Sequence, residues 1–424
     1  MIRFLWKGLV RDASRSRLPV LIVAIGVMLT VFMHAYINGF MGDTLEMNAR
    51  FNNGHLKVMT LAYAEEAEQM PNDLALLGVE GLLNQLGTLA PDVAWAPRIR
   101  FGGLIDVPGP EGETRSQGPA VGTALDLRSP GSREAERLNL EKALVRGRLI
   151  QESGEAMLSE DFARKLKLDI GREFTFIGST MNGSMAFHNF RLAGTLRFGM
   201  EALDRGSVLM DLEDARIALD MENGAGEILG FLPEGYYDDD QARQMVSAFN
   251  EKHSDPSDPY SPLMKSLSQQ GSMGQYVALA DQWAVYINLI FVLAMAIVLW
   301  NAGLLGALRR YGEFGVRLAI GEEKKHVYLT LIYEALLIGS IGSVIGTGVG
   351  LFFAWLLQVY GLDISGMMEG ASMLMPSTIR ARITPADYYI GFIPGLLSTL
   401  LGAMLAGIGI FKRKTSQLFK ELEA

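Results

Sequence analysis

The hydrophobic positions of this chain are concentrated in four long runs that flank one long polar block. The runs are Leu18–Phe40, about Trp283–Leu308, Val327–Tyr360 and Ala386–Phe411. Each is long enough to cross a hydrocarbon core, which takes roughly 20 apolar residues. The pattern therefore predicts an α-helical integral membrane protein with four transmembrane helices. A large domain, residues 41–275, would be inserted between helices 1 and 2.

Within the block, short apolar runs predict strands and leucines at helical spacing predict helices, so we expect a mixed α+β domain. The predicted strands are Gly54–Met59, Ala156–Ser159, Glu173–Ile177, Phe190–Leu196 and Ser207–Met210. The predicted helices are Leu74–Leu89, Glu160–Leu166, Asp211–Leu219 and Gln241–Lys252. Segments rich in Pro, Gly and Ser predict loops, and these are Pro108–Gly118, Asp126–Arg137 and Asp255–Ser261.

The same pattern gives the expected boundaries along the chain. They are a tail with helix 1 (1–40), the inserted domain (41–275), helix 2 (276–308), a charged loop (309–326), helix 3 (327–360), an outer loop (361–385), helix 4 (386–411) and a tail (412–424).

Basic residues outside the runs predict the orientation. Five Lys and Arg precede the first run, five lie in 309–326 and four follow residue 411, whereas 361–385 has two. By the positive-inside rule, both termini and the 309–326 loop face the cytoplasm, and the inserted domain lies outside. That domain has 36 Asp and Glu against 22 Lys and Arg, which argues against a nucleic-acid partner.

The chain offers little catalytic chemistry. It has no Cys, so a thiol nucleophile and Cys-ligated zinc are excluded. None of its five His has another His three or four residues away, and neither H-E-x-x-H nor the P-loop pattern G-x-x-x-x-G-K-[ST] occurs. We therefore expect a non-catalytic membrane subunit that binds no metal or cofactor itself.

Glycines recur at intervals of four in the third run, at Gly342, Gly346 and Gly350. Small residues on one helix face allow close helix–helix approach in lipid, which favours a packing interface here. Glycine is also frequent in membrane helices without such a role.

Asn301–Gly321 (NAGLLGALRRYGEFGVRLAIG) leaves the second run and becomes amphipathic. One interpretation is an interfacial helix on the lipid headgroups. The other is a helix that docks in the groove of a cytoplasmic partner.

The pattern R-x-x-E-F-G-x-R-x-A-I-G at Arg310–Gly321, followed by a run with a glycine ladder, resembles the FtsX/MacB/LolC–LolE superfamily of ABC-transporter permeases. Leu144–Ile177 and Phe190–Leu219 resemble its LolC/LolE-like, lipoprotein-releasing branch. Ile320 stands where Leu is frequent in relatives.

The resemblance implies a multi-pass protein of the bacterial inner membrane with its large domain in the periplasm. It implies a cytoplasmic ABC ATPase dimer that binds ATP and Mg, and a second permease that is identical or homologous. The segment after the second helix would be the coupling helix, through Arg310, Glu313, Phe314, Gly315, Arg317, Ile320 and Gly321.

Lipoprotein or lipid-linked cargo follows from the same resemblance. A flexible apolar contact for acyl chains is predicted in the outer loop, at Met367, Met368, Met373 and Met375; the alternative is a loop that dips into the membrane interface. Two other functions stay open, a MacB-like exporter and an FtsX-like mechanotransmitter that controls a periplasmic partner.

Overall fold

The computed structural model describes residues 13–198, 201–233, 237–271, 273–275, 315–363 and 378–412, with scattered residues between 279 and 301. They belong to two compact units. The sheet unit is Gly42–Val277, and the helical unit comprises residues up to Met41, Ala278–Asp363 and Thr378 onward.

The strands of the sheet unit are β1 Leu56–Thr60, β2 Leu76–Leu77, β3 Ala94–Pro108, β4 Thr114–Leu125, β5 Leu144–Gly147, β6 Glu155–Ser159, β7 Glu173–Ser179, β8 Met185–Leu196, β9 Ser207–Asp211, β10 Gly224–Ala225, β11 Glu227–Phe231 and β12 Pro262–Ser266. Its helices begin with the end of α1 (Ala13–Asn48), which continues into a π-turn, Ala49–Asn53. The others are α2 Leu61–Glu65, α3 Val79–Leu89, α4 Glu134–Arg137, α5 Leu140–Ala143, α6 Glu160–Lys165, α7 Glu201–Asp204, α8 Leu212–Leu219 and α9 Asp239–His253.

One half of the sheet unit has a ferredoxin-like arrangement. Its strands lie in the order β12-β1-β11-β3, and all three neighbouring pairs are antiparallel. Since α3 connects β1 to β3 and α9 connects β11 to β12, the chain order is βαββαβ. Buried apolar residues hold the helices on one sheet face, among them Val58, Leu86, Ile228 and Phe249.

The other half is a closed ring of strands, inserted between β3 and β11. The pairing runs β3-β4-β9-β6-β8-β7 and returns to β3, because β7 pairs with both β8 and β3. Closure leaves none of these six strands as a free edge. The ring encloses aromatic residues such as Phe101, Phe174 and Phe190, and α6 and α8 add Phe162 and Leu219 to the same core.

The sequence pattern missed β2, β3, β4, β5, β10, β11 and β12, and it placed part of β4 and all of α4 in loops. β3 and β4 contain glycines that sequence reasoning takes as turn signals. Here they make room for aromatic rings: a Cβ at Gly103 would collide with Phe176, and one at Gly122 with Phe101. Glycine inside a strand often marks such a close approach. The helix expected over Leu74–Leu89 begins only at Val79, after a 3-10 turn and β2.

The helical unit contains three helices that are long and apolar enough to cross a membrane, among the residues that the structure describes. They are α1, α10 (Lys324–Tyr360) and α11 (Phe392–Lys412). A 3-10 turn, Pro385–Tyr388, precedes α11, and two short strands, β13 (Leu362–Asp363) and β14 (Thr378–Ile379), pair beside it. Most of the predicted second span, 283–308, lies outside the described residues.

A buried carboxylate on β6 makes part of the stability of the sheet unit dependent on pH. Burial opposes ionisation of Glu155, but hydrogen bonds from Arg148 and from the backbone amides of Gln151 and Glu152 outweigh it and lower its pKa to about 2. A lowered folded-state pKa stabilises the fold above the unfolded pKa, and that stability is lost as pH falls through the folded value.

We therefore expect Glu155→Gln to lower the free energy of unfolding by about 1–2 kcal/mol at neutral pH, after allowance for solvent screening. The difference from the parent should shrink as pH falls from about 4.5 toward 2. Denaturant unfolding of the full-length protein in detergent at several pH values checks this. A difference that stays constant across that range would contradict the assignment.

Candidate coupling site

The described part of the predicted coupling helix ends in a tightly defined turn. Residues 315–319 are helical, and the helix closes with two backbone bonds, from Gly321 N–H to Leu318 O at 3.2 Å and from Glu322 N–H to Arg317 O at 3.0 Å. This is the Schellman pattern of helix ends, which needs a left-handed residue. Gly321 is this left-handed residue, with a φ of +94°. The conformation of the turn therefore explains why position 321 is a glycine.

A charged pair fixes the same turn. Nε and Nη2 of Arg317 donate to the two carboxylate oxygens of Glu322 at 2.6 and 2.8 Å. Such a bidentate pair orients both side chains as well as attracting them. The guanidinium at the end of the helix is therefore held by the chain itself.

Apolar side chains on this turn project into the surroundings. Ile320 is 79% exposed and Val316 is 49% exposed, whereas Gly315 is buried. Positions four apart lie on one helix face, so Val316 and Ile320 form a small apolar knob, the coupling knob, beside the Arg317–Glu322 pair. A knob of this kind can fill an apolar groove or rest in a membrane interface.

Other predicted site residues fall outside the described part of the chain. They are the coupling residues Arg310, Glu313 and Phe314 and the outer-loop methionines Met367, Met368, Met373 and Met375. Their roles stay predictions.

The glycine ladder of α10 lies against α1. A Cβ built on each glycine would come within 2.6–3.0 Å of a valine Cβ, in the pairs Gly342 with Val23, Gly346 with Val27, and Gly350 with Val31. Real Cβ atoms do not tolerate such distances, so α1 and α10 approach as closely as they do only because the ladder has no side chains.

The same valines also meet α11 and Gly391, the residue just before it. A Cβ on Gly391 would lie 2.6 Å from Cγ1 of Val27, and one on Gly395 would lie 2.9 Å from its Cγ2. Val27 is fully buried. It is thus enclosed between glycines of two helices, so a sideways shift of α1 has to displace α10, α11 or both.

A polar contact joins α1 to the turn before α11, and the sequence pattern did not indicate it. Nδ1 of His34 lies 2.7 Å from Oδ1 of Asp387. Oδ2 of Asp387 accepts from the N–H and the hydroxyl of Thr384 at 2.6 and 2.8 Å. Asp387 is fully buried. The only sequence signal was a His inside the first predicted span and an Asp at the start of the last one.

Two family models match the chain. The MacB-like periplasmic core domain covers residues 17–246, more than half of the sequence, and the FtsX-like permease C-terminal domain covers residues 285–415. The chain belongs to the FtsX/MacB superfamily of ABC-transporter permeases. The first match contains most of α1 and most of the sheet unit, which is thereby the periplasmic core domain of this permease. The second match contains the coupling knob, α10 and α11.

A macrolide export ATP-binding/permease protein, MacB of Campylobacter fetus subsp. fetus, is 29% identical to the permease over 94 residues. The match covers 22% of this chain and spans 14% of the length of that relative. Among solved structures, the periplasmic region of MacB from Actinobacillus actinomycetemcomitans matches with a TM-score of 0.31 and 11% identity, covering 50% of this chain and 87% of that one.

The described residues contain no group of three or more His, Asp or Glu placed to hold a metal ion.

Proposed function

We propose that this chain is the permease subunit of an ABC complex that moves its periplasmic domain when a separate cytoplasmic ATPase hydrolyses ATP. The cargo would be a lipoprotein or a similar lipid-linked molecule, extracted or released at the outer face of the inner membrane. ATP and Mg would be bound by the ATPase dimer. The permease would pair with a second copy or with a homologous permease.

The observation that carries the proposal is the coupling knob within the FtsX-like region. Val316 and Ile320 present apolar surface, and the Arg317–Glu322 pair keeps the turn in one shape. A preformed apolar projection suits docking in a groove, since little conformational freedom is lost on binding.

Four membrane helices are part of the proposal. The periplasmic domain follows α1, and the basic loop 309–326 belongs in the cytoplasm by the positive-inside rule. A span between residues 276 and 308 would return the chain to that side, and the apolar run from about Trp283 to Leu308 is long enough for it.

Replacing Ile320 by aspartate tests the docking role. We expect Ile320→Asp to lower the amount of ATPase that co-purifies with the permease by at least tenfold, because a charge would enter an apolar groove. The matched control is Ile217→Asp, since Ile217 is 67% exposed on α8 of the periplasmic domain. Full ATPase association by Ile320→Asp, with both variants inserted in the membrane, would refute the docking role.

MacB-like export is the second candidate function, favoured by the match to the Campylobacter protein. Cross-linking in cells, followed by purification of the permease with its bound partners, distinguishes lipoprotein release from MacB-like export. Lipoproteins or acylated peptides bound to the permease support release, and their loss on replacing the four outer-loop methionines by serine would support a cargo contact there. A periplasmic adaptor and an outer-membrane channel support export, and a cell-wall hydrolase would support FtsX-like mechanotransmission.

A further inference from the structure

The helix α1 continues into the π-turn Ala49–Asn53, and two basic side chains of the sheet unit bind three carbonyl groups of this turn. Arg98 donates from Nη2 to the carbonyl of Arg50 and from Nη1 to that of Phe51, both at 2.9 Å. Nζ of Lys57 donates to the carbonyl of Asn52 at 3.0 Å. The carbonyls at a helix end lack intrahelical partners and carry partial negative charge, so cations suit them.

Both cations are buried and anchored in the sheet. Nε of Arg98 donates to Glu134 at 2.8 Å, and Lys57 pairs with Glu227 at 2.7 Å. Arg98 is 1% exposed and Lys57 is 5% exposed. Burial lowers the pKa of Arg98 to about 10, which leaves it charged at neutral pH. Burying two ion pairs costs desolvation free energy. Because these charges are not on the surface, a contribution to solubility does not explain them.

A third link runs through His55, which is fully buried. Its Nδ1 accepts from the N–H of Leu232, just after β11, at 2.9 Å. Its Nε2 lies 2.7 Å from a carboxylate oxygen of Glu46 on α1. Arg50 binds the other oxygen of Glu46 at 2.7 Å. The last turns of α1 are therefore bound to β1, β3 and the end of β11.

We propose that Arg98 and Lys57 form a carbonyl clamp that makes the last turns of α1, with the π-turn that continues them, and the ferredoxin-like half of the sheet unit move as one body, so that a displacement of these turns reaches the domain. They are positioning residues that contact neither ATP nor cargo. Only the idea that ATP hydrolysis drives this movement rests on the function proposed above. The attachment itself is a property of the domain and can be tested separately.

Attachment is tested by spin labels on cysteines introduced at Met47, on the last turns of α1, and at Leu89, on α3. The chain has no cysteine of its own, so only these sites are labelled. We expect a narrow distance distribution in the parent. Arg98→Met, made together with Glu134→Gln so that both charges of the buried pair are removed, should widen it at least twofold. Glu134→Gln alone also takes the partner from Arg137, and it should widen the distribution less. Arg98→Lys, which keeps a cation at this position, should give a distribution nearly as narrow as that of the parent.

Arg100→Met is the matched control, because Arg100 lies two residues further along the same strand. It should leave the distribution unchanged. An unchanged width in Arg98→Met/Glu134→Gln, or equal widening by Arg100→Met, would overturn the clamp. These measurements use the full permease alone, so they decide on the clamp even if no ATPase co-purifies and the proposed function fails.

Transmission is tested in the complex with the ATPase. We expect ATP binding to change hydrogen exchange in β12, which pairs along its whole length with β1. In Arg98→Met/Glu134→Gln this change should be reduced at least threefold, while basal ATP hydrolysis stays within twofold of the parent. A merely structural role would not separate the two readouts. An undiminished response of β12 would show that movement does not pass through the clamp.

Discussion

Gly346→Ala is expected to destabilise the helical unit although it adds a single methyl group. The new Cβ would lie 2.5 Å from the carbonyl oxygen of Ala24 and 2.7 Å from Cβ of Val27. Neither neighbour is the end of a flexible side chain, so α1 and α10 must separate. Overpacking of this kind costs about 1–3 kcal/mol. A leucine at the same position should prevent assembly of the helices.

Gly348→Ala is the matched control on the same helix. A Cβ at Gly348 meets nothing within 4 Å, so alanine should be neutral there, or stabilising by up to about 1 kcal/mol through its higher helix propensity. Unfolding in mixed detergent micelles of increasing dodecyl sulfate content measures both variants. Equal stability of Gly346→Ala and Gly348→Ala would contradict the close packing of α1 and α10.

Asp387→Ala is expected to have the largest effect among the polar residues of the helical unit. The substitution removes the carboxylate that binds His34 on α1 and both groups of Thr384. Each buried polar group left without its hydrogen-bond partner costs about 1–3 kcal/mol. We expect the variant to be depleted in membranes, and to unfold at a much lower detergent fraction than the parent.

Asp387→Asn should lie between the parent and alanine, since an amide oxygen can still accept from Thr384. Glu323→Ala is the control. Glu323 is exposed and makes no side-chain hydrogen bond as the cap of α10, so its loss should change stability by less than about 0.5 kcal/mol. Parent-like stability of Asp387→Ala would mean that the contact with His34 does not hold α1.

Hydrophobic periodicity predicted three described membrane helices and the mixed α+β character of the inserted domain, because long apolar runs and alternating segments are local properties. It could not predict that β7 closes the ring on β3, since pairing partners are far apart in the sequence. The glycine ladder was visible, but its partner on α1 was not, because Val23, Val27 and Val31 look like ordinary lipid-facing residues.

Buried charges were the other feature that could not be predicted from the sequence. Arg98 lies in a segment, AWAPRIRF, whose two arginines suggest a solvated edge. The structure buries the first of them and leaves the second partly exposed. Nothing in the local pattern separates the two, because the difference arises from the carbonyls of α1, about fifty residues earlier in the chain. The coupling motif was found by resemblance, and the Schellman turn supplies a physical reason for its last glycine.

The pairing of β1 with β12 has a consequence for how this permease can diversify. The two strands are the first and last of the periplasmic domain, and Leu56 stands opposite Ser266. The chain therefore enters and leaves the domain on adjacent strands. A domain whose two ends lie close together can be exchanged as an insertion. Recombination at this strand pair would combine the same membrane helices with different periplasmic domains. Chimaeras joined between β1 and β12 are accordingly the natural route to exchange the whole domain.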